Sequence, residues 1–403
     1  MSSRRVVYVV SNELVKYASL LPSNRNRSLI VHSLVKAFGL LGDLQDDGQG
    51  ACVRVIRPYP AGARDLTAYH SRDYVEFLLN PETTSSLLAN SSGHAEYGLE
   101  EDCPPFKGLP EYARLVAGAS LAAATALRDG HADIAICWDG GRHHAHKSQA
   151  SGFCYIADCI LAILAMKRAS IPSQPYPRKP RIMYLDLDLH FSDGVSQAFW
   201  SSASVRAGGA VPQVLTLSIH HAAPGFFPAS PLASLPNVED ASFDPFTLSI
   251  PLAKGASGTT FARIWPAVER AKDAFGPDFV VVQCGVDGLA GDPNGVWNWS
   301  LGDSDGSLGW CISRVCGHWK CKTLLLGGGG YNSPNAARAW TYLTSIALGH
   351  PLSLDANIPD HAAYPLYEHS FTLDVPQGNA QDQNSDEYLS EVEINDHTEP
   401  WSQ

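Results

Sequence analysis

Positive charge is scarce in this sequence. The 403 residues include 29 lysines and arginines against 41 aspartates and glutamates, which gives a formal net charge of −12. Proteins that hold nucleic acid through its phosphates usually present a basic face, so we expect no direct nucleic-acid binding. A cationic partner or substrate fits the charge better. Charged residues make up only 17% of the chain, which argues against a coiled coil.

Long apolar runs are also missing. The longest, Cys154–Met166, contains Asp158 and stops at Lys167, whereas a membrane-spanning helix needs about 20 apolar residues. Near the amino terminus, Val6–Val10 is too short for the apolar part of a signal peptide and is better interpreted as a strand. We therefore expect an intracellular protein that does not associate with membranes.

The nine cysteines form no dense framework, and their odd number in an untargeted chain indicates reduced thiols. Cys311, Cys316 and Cys321 are the one group whose proximity raises the question of a structural zinc site. Their spacing is irregular and runs from a helical segment into an apolar strand. We therefore do not favour zinc binding there.

Short apolar segments rich in β-branched residues alternate with longer segments of helical periodicity. The predicted strands are Val6–Val10, Val53–Ile56, Ile134–Cys137, Ile182–Leu187, Val214–Ile219, Phe279–Gln283 and Thr323–Leu326. The predicted helices are Ser28–Leu41, Tyr112–Leu127, Tyr155–Lys167, Thr260–Ala274, Leu308–Val315 and Ala336–Leu348. This alternation predicts an α/β fold with a parallel sheet covered on both faces, and a ligand site at the carboxyl ends of the strands.

The acidic residues are concentrated at the carboxyl terminus. Residues 376–403 contain no lysine or arginine and seven acids, namely Asp382, Asp386, Glu387, Glu391, Glu393, Asp396 and Glu399. The simplest interpretation is a solvated terminus with room for one helical turn near Tyr388–Ile394. We therefore predict one domain over residues 1–375, followed by an acidic tail over 376–403.

Polar residues at every second position mark the segment that follows the predicted strand at 182–187. Asp186, Asp188 and His190 would share one face of an extended chain. Buried together, they would be costly unless they bound a cation, although a half-exposed strand with a polar outer face remains the alternative. Asp287, just past the end of Phe279–Gln283, is the best candidate for a third ligand, although such residues often only cap helices or turns.

Two adjacent histidines follow the strand at 134–137. His143 and His144 suit acid–base chemistry near neutral pH, and Asp186 and Asp193 could each fix the tautomer of one ring. The alternative is a surface loop in which the histidines occur by chance.

Four glycines at 327–330 follow the strand at 323–326. No Gly-Lys-Ser/Thr follows them, so a phosphate-binding P-loop is excluded. Glycines allow close backbone approach, which would bring Tyr331 to the mouth of the sheet. A phenol placed there could donate a hydrogen bond to an oxyanion.

Taken in order, these segments resemble the class I zinc-dependent histone deacetylases and, more broadly, the arginase/deacetylase fold. The resemblance extends from about Val6 to Pro365 and rests on Arg27–His32, Glu96–Leu99, Asp102–Pro104, His143–Ala145, Ser151–Tyr155, Asp186–His190, Pro224–Pro228, Gly291–Pro293, Gly327–Asn332 and, more loosely, Arg338–Thr344. It implies a single-domain, three-layer sandwich around a mostly parallel sheet of about eight strands.

The resemblance also implies roles for individual residues. A Zn²⁺ ion, with Fe²⁺ as the alternative, would be held by Asp188, His190 and Asp287. A structural K⁺ would lie near Asp186, Asp188, His190 and Ser218. The implied catalytic residues are His143, His144, Asp186, Asp193 and Tyr331, with His144 as general base and then acid. Substrate would contact Asp102, Gly152, Phe153 and Phe227, and Arg27 would line an internal acetate channel.

The implied activity is hydrolysis of Nε-acetyl-lysine in histones or other proteins, in the nucleus or cytoplasm. The resemblance also implies a corepressor complex that represses transcription as a candidate partner. An acetylpolyamine amidohydrolase and a weakly active scaffold of the same fold remain alternatives. Four positions depart from the family pattern, namely Arg142, Phe191, Ser192 and Asn294. Arg142 stands where an apolar residue is usual.

Overall fold

The computed structural model describes residues 4–42, 52–85, 92–174, 176–201, 212–240 and 242–394. Its eight strands are β1 (Arg5–Val9), β2 (Cys52–Ile56), β3 (Ile134–Cys137), β4 (Ile182–Asp186), β5 (Val214–His221), β6 (Thr247–Leu252), β7 (Phe279–Gln283) and β8 (Lys322–Leu326). They form one sheet in the order β2-β1-β3-β8-β7-β4-β5-β6. Every neighbouring pair is parallel.

The helices of the described residues cover both faces of this sheet. They are α1 (Asn12–Ala18), α2 (Arg27–Ala37), α3 (Ala63–Leu66), α4 (Arg72–Leu79), α5 (Pro81–Ser85), α6 (Ser92–Glu96), α7 (Leu109–Arg128), α8 (Asp158–Met166), α9 (Asp193–Phe199), α10 (Gly258–Phe275), α11 (Leu308–Gly317), α12 (Ser333–Ala347) and α13 (Asp386–Ile394). Two 3₁₀ helices span Pro231–Ala233 and Tyr364–Tyr367. None of the described helices is both long and apolar enough to cross a bilayer.

Alternate residues of each central strand enter different cores. In β4, Met183 and Leu185 pack into a core with α2, α10, α11 and α12, whereas Ile182 and Tyr184 pack into a second core with α7 and α8. Successive side chains of a strand point to opposite faces of the sheet. When both faces are covered by helices, the odd and the even positions of each central strand must therefore both be apolar. The predicted three-layer α/β fold is confirmed.

The seven strands predicted from composition are all present, with ends that differ by no more than two residues. The eighth, β6, alternates polar with apolar residues and contains Pro251, so it lacks the β-branched run that marked the others. It lies at the edge of the sheet, where proline is tolerated.

The acidic segment is only partly a solvated terminus: the helix expected near Tyr388–Ile394 is present as α13, most of the described residues around it are exposed, and two of its side chains are buried. Helix α13 packs against α10, and Leu389 and Val392 are buried in the core. Arg263 of α10 forms ion pairs with Asp386 at 2.5 Å and with Glu393 at 3.1 Å. The apolar residues are spaced three apart and so share one helix face, a pattern that the many acids obscured.

Asp396 and Glu399 of the same segment lie outside the described residues. The division of the chain at residue 375 stays a prediction.

Candidate active site

The four central strands β3, β8, β7 and β4 are adjacent, and the segments after their carboxyl ends converge. These segments carry the tandem histidines, the glycine run with Tyr331, Asp287, and the residues at 186–193. Neighbouring parallel strands end at the same edge of a sheet, so residues more than 180 positions apart in sequence can meet there.

Asp188, His190 and Asp287 form a buried group whose ligand atoms all lie within 4.8 Å of one another. The His190 Nδ1 is 2.9 Å from Asp287 Oδ2 and 3.3 Å from Asp188 Oδ1. No other metal-ligand group of this kind occurs in the part of the chain that the structure describes, and the cysteines at 311–321 form none. The half-exposed strand is excluded because Asp186 and Asp188 are buried.

Hydrogen bonds from the main chain and an amide orient both carboxylates. Asp188 Oδ2 accepts from Gln283 Nε2 and from the Gly329 amide, each at 2.8 Å. Asp287 Oδ1 accepts from the Leu189 amide at 3.0 Å. Burial, together with the charge of Asp188, raises the pKa of Asp287 to about 6. Two carboxylates and one imidazole held this close are a donor set that a divalent metal ion can bind.

The chemistry of the three ligands narrows the choice of ion. Two carboxylates and one imidazole suit Zn²⁺ and equally Fe²⁺, and three protein ligands leave a coordination position for water or substrate. The group could therefore hold a catalytic metal.

The tandem histidines are buried, which excludes a surface loop with chance histidines. His143 Nδ1 donates to Asp186 Oδ2 at 2.9 Å, and His144 Nδ1 donates to Asp193 Oδ1 at 2.7 Å. The two rings lie 4.0 Å apart between their centroids. Each imidazole therefore has a carboxylate on Nδ1, which leaves Nε2 available to exchange a proton.

The two histidines differ in their protonation. Burial opposes the charge of His143, but the carboxylates of Asp186 and Asp188 raise its pKa to about 9. Burial and the neighbouring positive charge of His143 lower the pKa of His144 to about 4. The carboxylates thus favour the charged form of the His143 imidazole, whereas burial favours the neutral form of His144, which can accept a proton.

Several supporting residues were missed by sequence reasoning. The hydroxyl of Tyr184 donates to Asp186, and His146 Nε2 lies 3.3 Å from Asp193 Oδ2. Asp292 accepts from the Tyr331 amide at 2.6 Å. His146 follows the tandem pair by two residues and could have been found by its proximity in sequence. Asp292 lies in Gly291–Pro293, one of the segments on which the resemblance rests, whereas Tyr184 carries no comparable signal.

The glycine run gives Tyr331 its position. A Cβ on Gly329 would lie 2.3 Å from Asp287 Oδ2, so only glycine fits between the strand end and the metal ligands. Asn332 caps α12 by accepting from the Asn335 amide, which fixes the chain just after Tyr331. Burial and the charge of Asp287 raise the pKa of Tyr331, so its phenol stays protonated and can donate a hydrogen bond.

Aromatic rings form the walls of the site. The ring of Phe153 is 5.6 Å from that of Tyr331, and the ring of Phe227, 42% exposed, is 4.9 Å from that of His144. Phe226, which sequence reasoning did not select, stacks on the His190 imidazole at 5.1 Å. Its place beside Phe227 in the same loop was the one available signal.

The remaining predicted substrate contacts lie on the same side. Asp102 Oδ2 accepts from the Gly152 amide at 2.8 Å and so joins the loop at 151–154. A Cβ on Gly152 would lie 2.4 Å from the Cδ2 of His144, so this glycine sets how closely the loop approaches the histidine.

Ser218 and Arg27 lie behind the site. Ser218 pairs with Asp186 in the register of β5 and β4, beside the ligands of the predicted K⁺ site. Arg27 Nη1 donates to the carbonyl oxygen of Gly330 at 2.8 Å, and its guanidinium stacks on Trp340 at 4.8 Å. The structure thus brings every predicted site residue to one region, and the roles of these residues remain predictions.

The chain is similar to known proteins over most of its length. The family model for the histone deacetylase domain matches residues 21–347. The chain is 34% identical to histone deacetylase 8 of Danio rerio over 97% of its own length and 93% of the relative's. It is 35% identical to histone deacetylase 8 of Xenopus tropicalis over 96% and 95% of the two chains, and 33% identical to histone deacetylase 19 of Arabidopsis thaliana over 96% and 71%.

Proposed function

Because the chain belongs to the histone deacetylase family, we propose that it hydrolyses the amide of Nε-acetyl-lysine in histones or other proteins, releasing acetate and free lysine. One observation carries the proposal. The metal-ligand group Asp188, His190 and Asp287 lies beside two His–Asp pairs. A metal site next to proton-transfer groups is an arrangement that can hydrolyse an unactivated amide.

In the proposed reaction His144 moves the proton. Asp193 holds the proton of its Nδ1, so Nε2 accepts a proton from the attacking water and later donates it to the departing lysine amine. His143, paired with Asp186, supplies a positive charge next to the reacting groups. These roles assign each of the two histidines to a different task.

The oxyanion needs separate stabilisation. A Zn²⁺ or Fe²⁺ ion held by Asp188, His190 and Asp287 would polarise the amide carbonyl and lower the pKa of water. The Tyr331 phenol donates a hydrogen bond to the developing oxyanion, an effect worth about 3–4 kcal/mol per donor. Gly152, Phe153 and Phe227 form a narrow apolar passage for the lysine stem.

Three finer proposals accompany the reaction. A structural K⁺ binds near Asp186, Asp188, His190 and Ser218. Asp102, at the rim, accepts hydrogen bonds from the substrate main chain. The protein acts in the nucleus or cytoplasm, with repression of transcription within a corepressor complex as its cellular role. The net charge of −12 supports a basic substrate such as a histone tail.

The test is hydrolysis of an acetyl-lysine peptide by the purified full chain, with Asp287→Ala assayed in parallel. We expect turnover by the unmodified chain and its loss in the variant, because one of three metal ligands is gone. Asp273→Ala, which changes a carboxylate that is 71% exposed, is the matched control and should keep full activity.

The alternatives give different results. Turnover of acetylspermidine but not of peptides would favour an acetylpolyamine amidohydrolase. If the folded, metal-loaded chain turned over neither, the deacetylase proposal would be wrong and a scaffold role would come first. A scaffold role should survive Asp287→Ala, whereas catalysis should not.

A further inference from the structure

A third histidine lies behind the predicted general base. His144 Nδ1 donates to Asp193 Oδ1 at 2.7 Å, and His146 Nε2 lies 3.3 Å from Oδ2, the other oxygen of the same carboxylate. Asp193 is thus held between two imidazoles that come from one loop. The side chain of His146 is 23% exposed, against 4% for that of His144. His146 therefore connects the buried His144–Asp193 pair with the surface of the protein.

Helix α9 and the histidine loop fix this arrangement. Asp193 and Gln197 are four residues apart and so share one face of α9. That face meets His146, because both side chains hydrogen-bond to its ring. In the loop, the main-chain amide of His146 donates to the carbonyl oxygen of Gln149 at 3.0 Å. The ring of His146 is therefore held by two polar partners from one helix.

The surroundings of His146 leave Asp193 as its main electrostatic partner. His146 lines a cavity of about 710 Å³, to which α8 contributes the uncharged Leu164. The titratable and charged side chains of the elements around His146 are those of Tyr69, His70, His144, Lys147 and Asp193. Burial raises the pKa of Tyr69 to about 12 and lowers the pKa of His70 to about 4, so neither changes charge near neutral pH. The hydrogen bond to Asp193 raises the pKa of His146 above its usual 6.5, so the charge of this ring does change there.

We propose that His146 is a positioning residue for the general base, and that its charge adjusts the reaction through Asp193. The inference rests on the proposed function, in which His144 gains a positive charge as it accepts a proton. Asp193 stabilises that charge. A cationic His146 shares the carboxylate and weakens this stabilisation, whereas a neutral His146 leaves the negative charge to His144. The value of kcat/KM should therefore rise as His146 loses its proton.

Kinetics of the metal-loaded full chain on an acetyl-lysine peptide test the effect of this charge. In the unmodified chain, kcat/KM should rise as the pH passes the pKa of His146, which lies above the usual 6.5. His146→Gln keeps a neutral donor beside Asp193, so it should show the higher rate on both sides of this step. His146→Lys keeps a positive charge on both sides and should show the lower rate. The two variants should differ about three- to tenfold, the effect of one ordinary hydrogen bond.

Two further variants separate positioning from packing. His146→Leu removes the contact with Asp193 and should lower kcat about tenfold at every pH with little change in KM, because the base is less well held. The glutamine variant, which restores the contact, should recover that loss. His131→Gln changes an exposed histidine before β3, at the edge of the sheet opposite the site, and should keep the pH profile of the unmodified chain.

Two kinetic results would overturn the inference. A step in kcat/KM that is absent from the unmodified chain, or that persists in both the glutamine and the lysine variants, would show that the charge of His146 does not reach the reaction. A leucine variant with the kcat of the unmodified chain would show that Asp193 holds His144 without help from His146.

A second experiment needs no turnover and so separates a failure of this inference from a failure of the proposed function. In the full chain loaded with Zn²⁺, nuclear magnetic resonance follows the proton between His144 Nδ1 and Asp193 Oδ1, assigned by its loss in Asp193→Ala. Its chemical shift should change with pH together with the titration of the His146 ring, and it should stay constant over that range in His146→Gln. A shift that does not follow the titration of His146, or that changes equally in the glutamine variant, would mean that Asp193 does not couple the two imidazoles.

Discussion

The hydroxyl of Tyr331 is the group that we expect to donate its hydrogen bond in the transition state and not to the bound substrate. Tyr331→Phe should lower kcat on an acetyl-lysine peptide about 10²–10³-fold, the usual effect of losing one oxyanion donor, and should change KM little. Steady-state kinetics of the purified variant measure both. Tyr364→Phe, in a tyrosine that stacks on Phe371 away from the site, is the control. An unchanged kcat in Tyr331→Phe would remove the phenol from the mechanism.

Gly152 offers a second test at this scale. Its φ of +53° is strained for any other residue, and an added Cβ would lie 2.4 Å from the His144 ring. Gly152→Ala should therefore displace His144 and lower kcat at least about tenfold, since catalysis is sensitive to small misplacements of a base.

Gly39→Ala isolates the effect of strain. Gly39 has a φ of +73°, but an added Cβ would meet no atom within 4 Å. Both variants should lose some stability in thermal unfolding, and only Gly152→Ala should lose activity. Comparable losses of activity in the two variants would show that backbone strain, rather than contact with the histidine, is responsible.

Individual residues also show where sequence reasoning succeeds. Asp186, Asp188 and His190 were predicted as a site because polar side chains in a buried strand need a partner. Gln283 was not, because an amide at a strand end has many ordinary uses, although it donates to Asp188 at 2.8 Å. The chemistry of a supporting residue is common, and only the folded structure reveals its target.

Among elements, strands with β-branched runs were predictable and β6 was not. A helical turn was expected at the place of α13 but its packing was not, because net charge describes a whole segment while packing depends on one face of it. Of its nine residues, Leu389 and Val392 are the buried ones that hold it to the core.

We therefore expect apolar packing, rather than ion pairs, to attach α13. Leu389→Ala should cost about 2–4 kcal/mol of stability, the usual effect of removing a buried leucine. Asp386→Asn should have little measurable effect, because exposed ion pairs are weak. Denaturant unfolding followed by circular dichroism measures both variants. A larger loss in Asp386→Asn than in Leu389→Ala would reverse this view of how the segment is held.

At the scale of the whole molecule, the site depends on strand order. The segments after β3, β4, β7 and β8 meet because these strands are adjacent, yet the chain visits them at residues 134, 182, 279 and 322. Periodicity predicts the strands but contains no information on which strands are neighbours. The rule that ligands bind at the carboxyl ends of parallel strands indicated Asp287 as a partner of Asp188 and His190, and the resemblance to a known family assigned the remaining segments to the same site.

Because the proposed metal ligands follow two different strands, a bound metal ion should also stabilise the fold. Asp188 and His190 follow β4 and Asp287 follows β7, so one ion would join two central strands and neutralise two adjacent buried carboxylates. Because an ion that binds only the folded state stabilises it, Zn²⁺ at 100 times its Kd should add about 2.7 kcal/mol. For 403 residues this raises the unfolding temperature by about 3 °C.

The measurement is thermal unfolding of chelator-treated protein with and without Zn²⁺ or Fe²⁺. Asp287→Ala should lose the response, and Asp273→Ala should keep it. Without metal, Asp287→Ala should be no less stable than the unmodified chain, because it relieves the repulsion between two carboxylates. A full metal response in Asp287→Ala would place the ion elsewhere. A strong loss of stability in its metal-free form would mean that the carboxylate serves the fold rather than a metal.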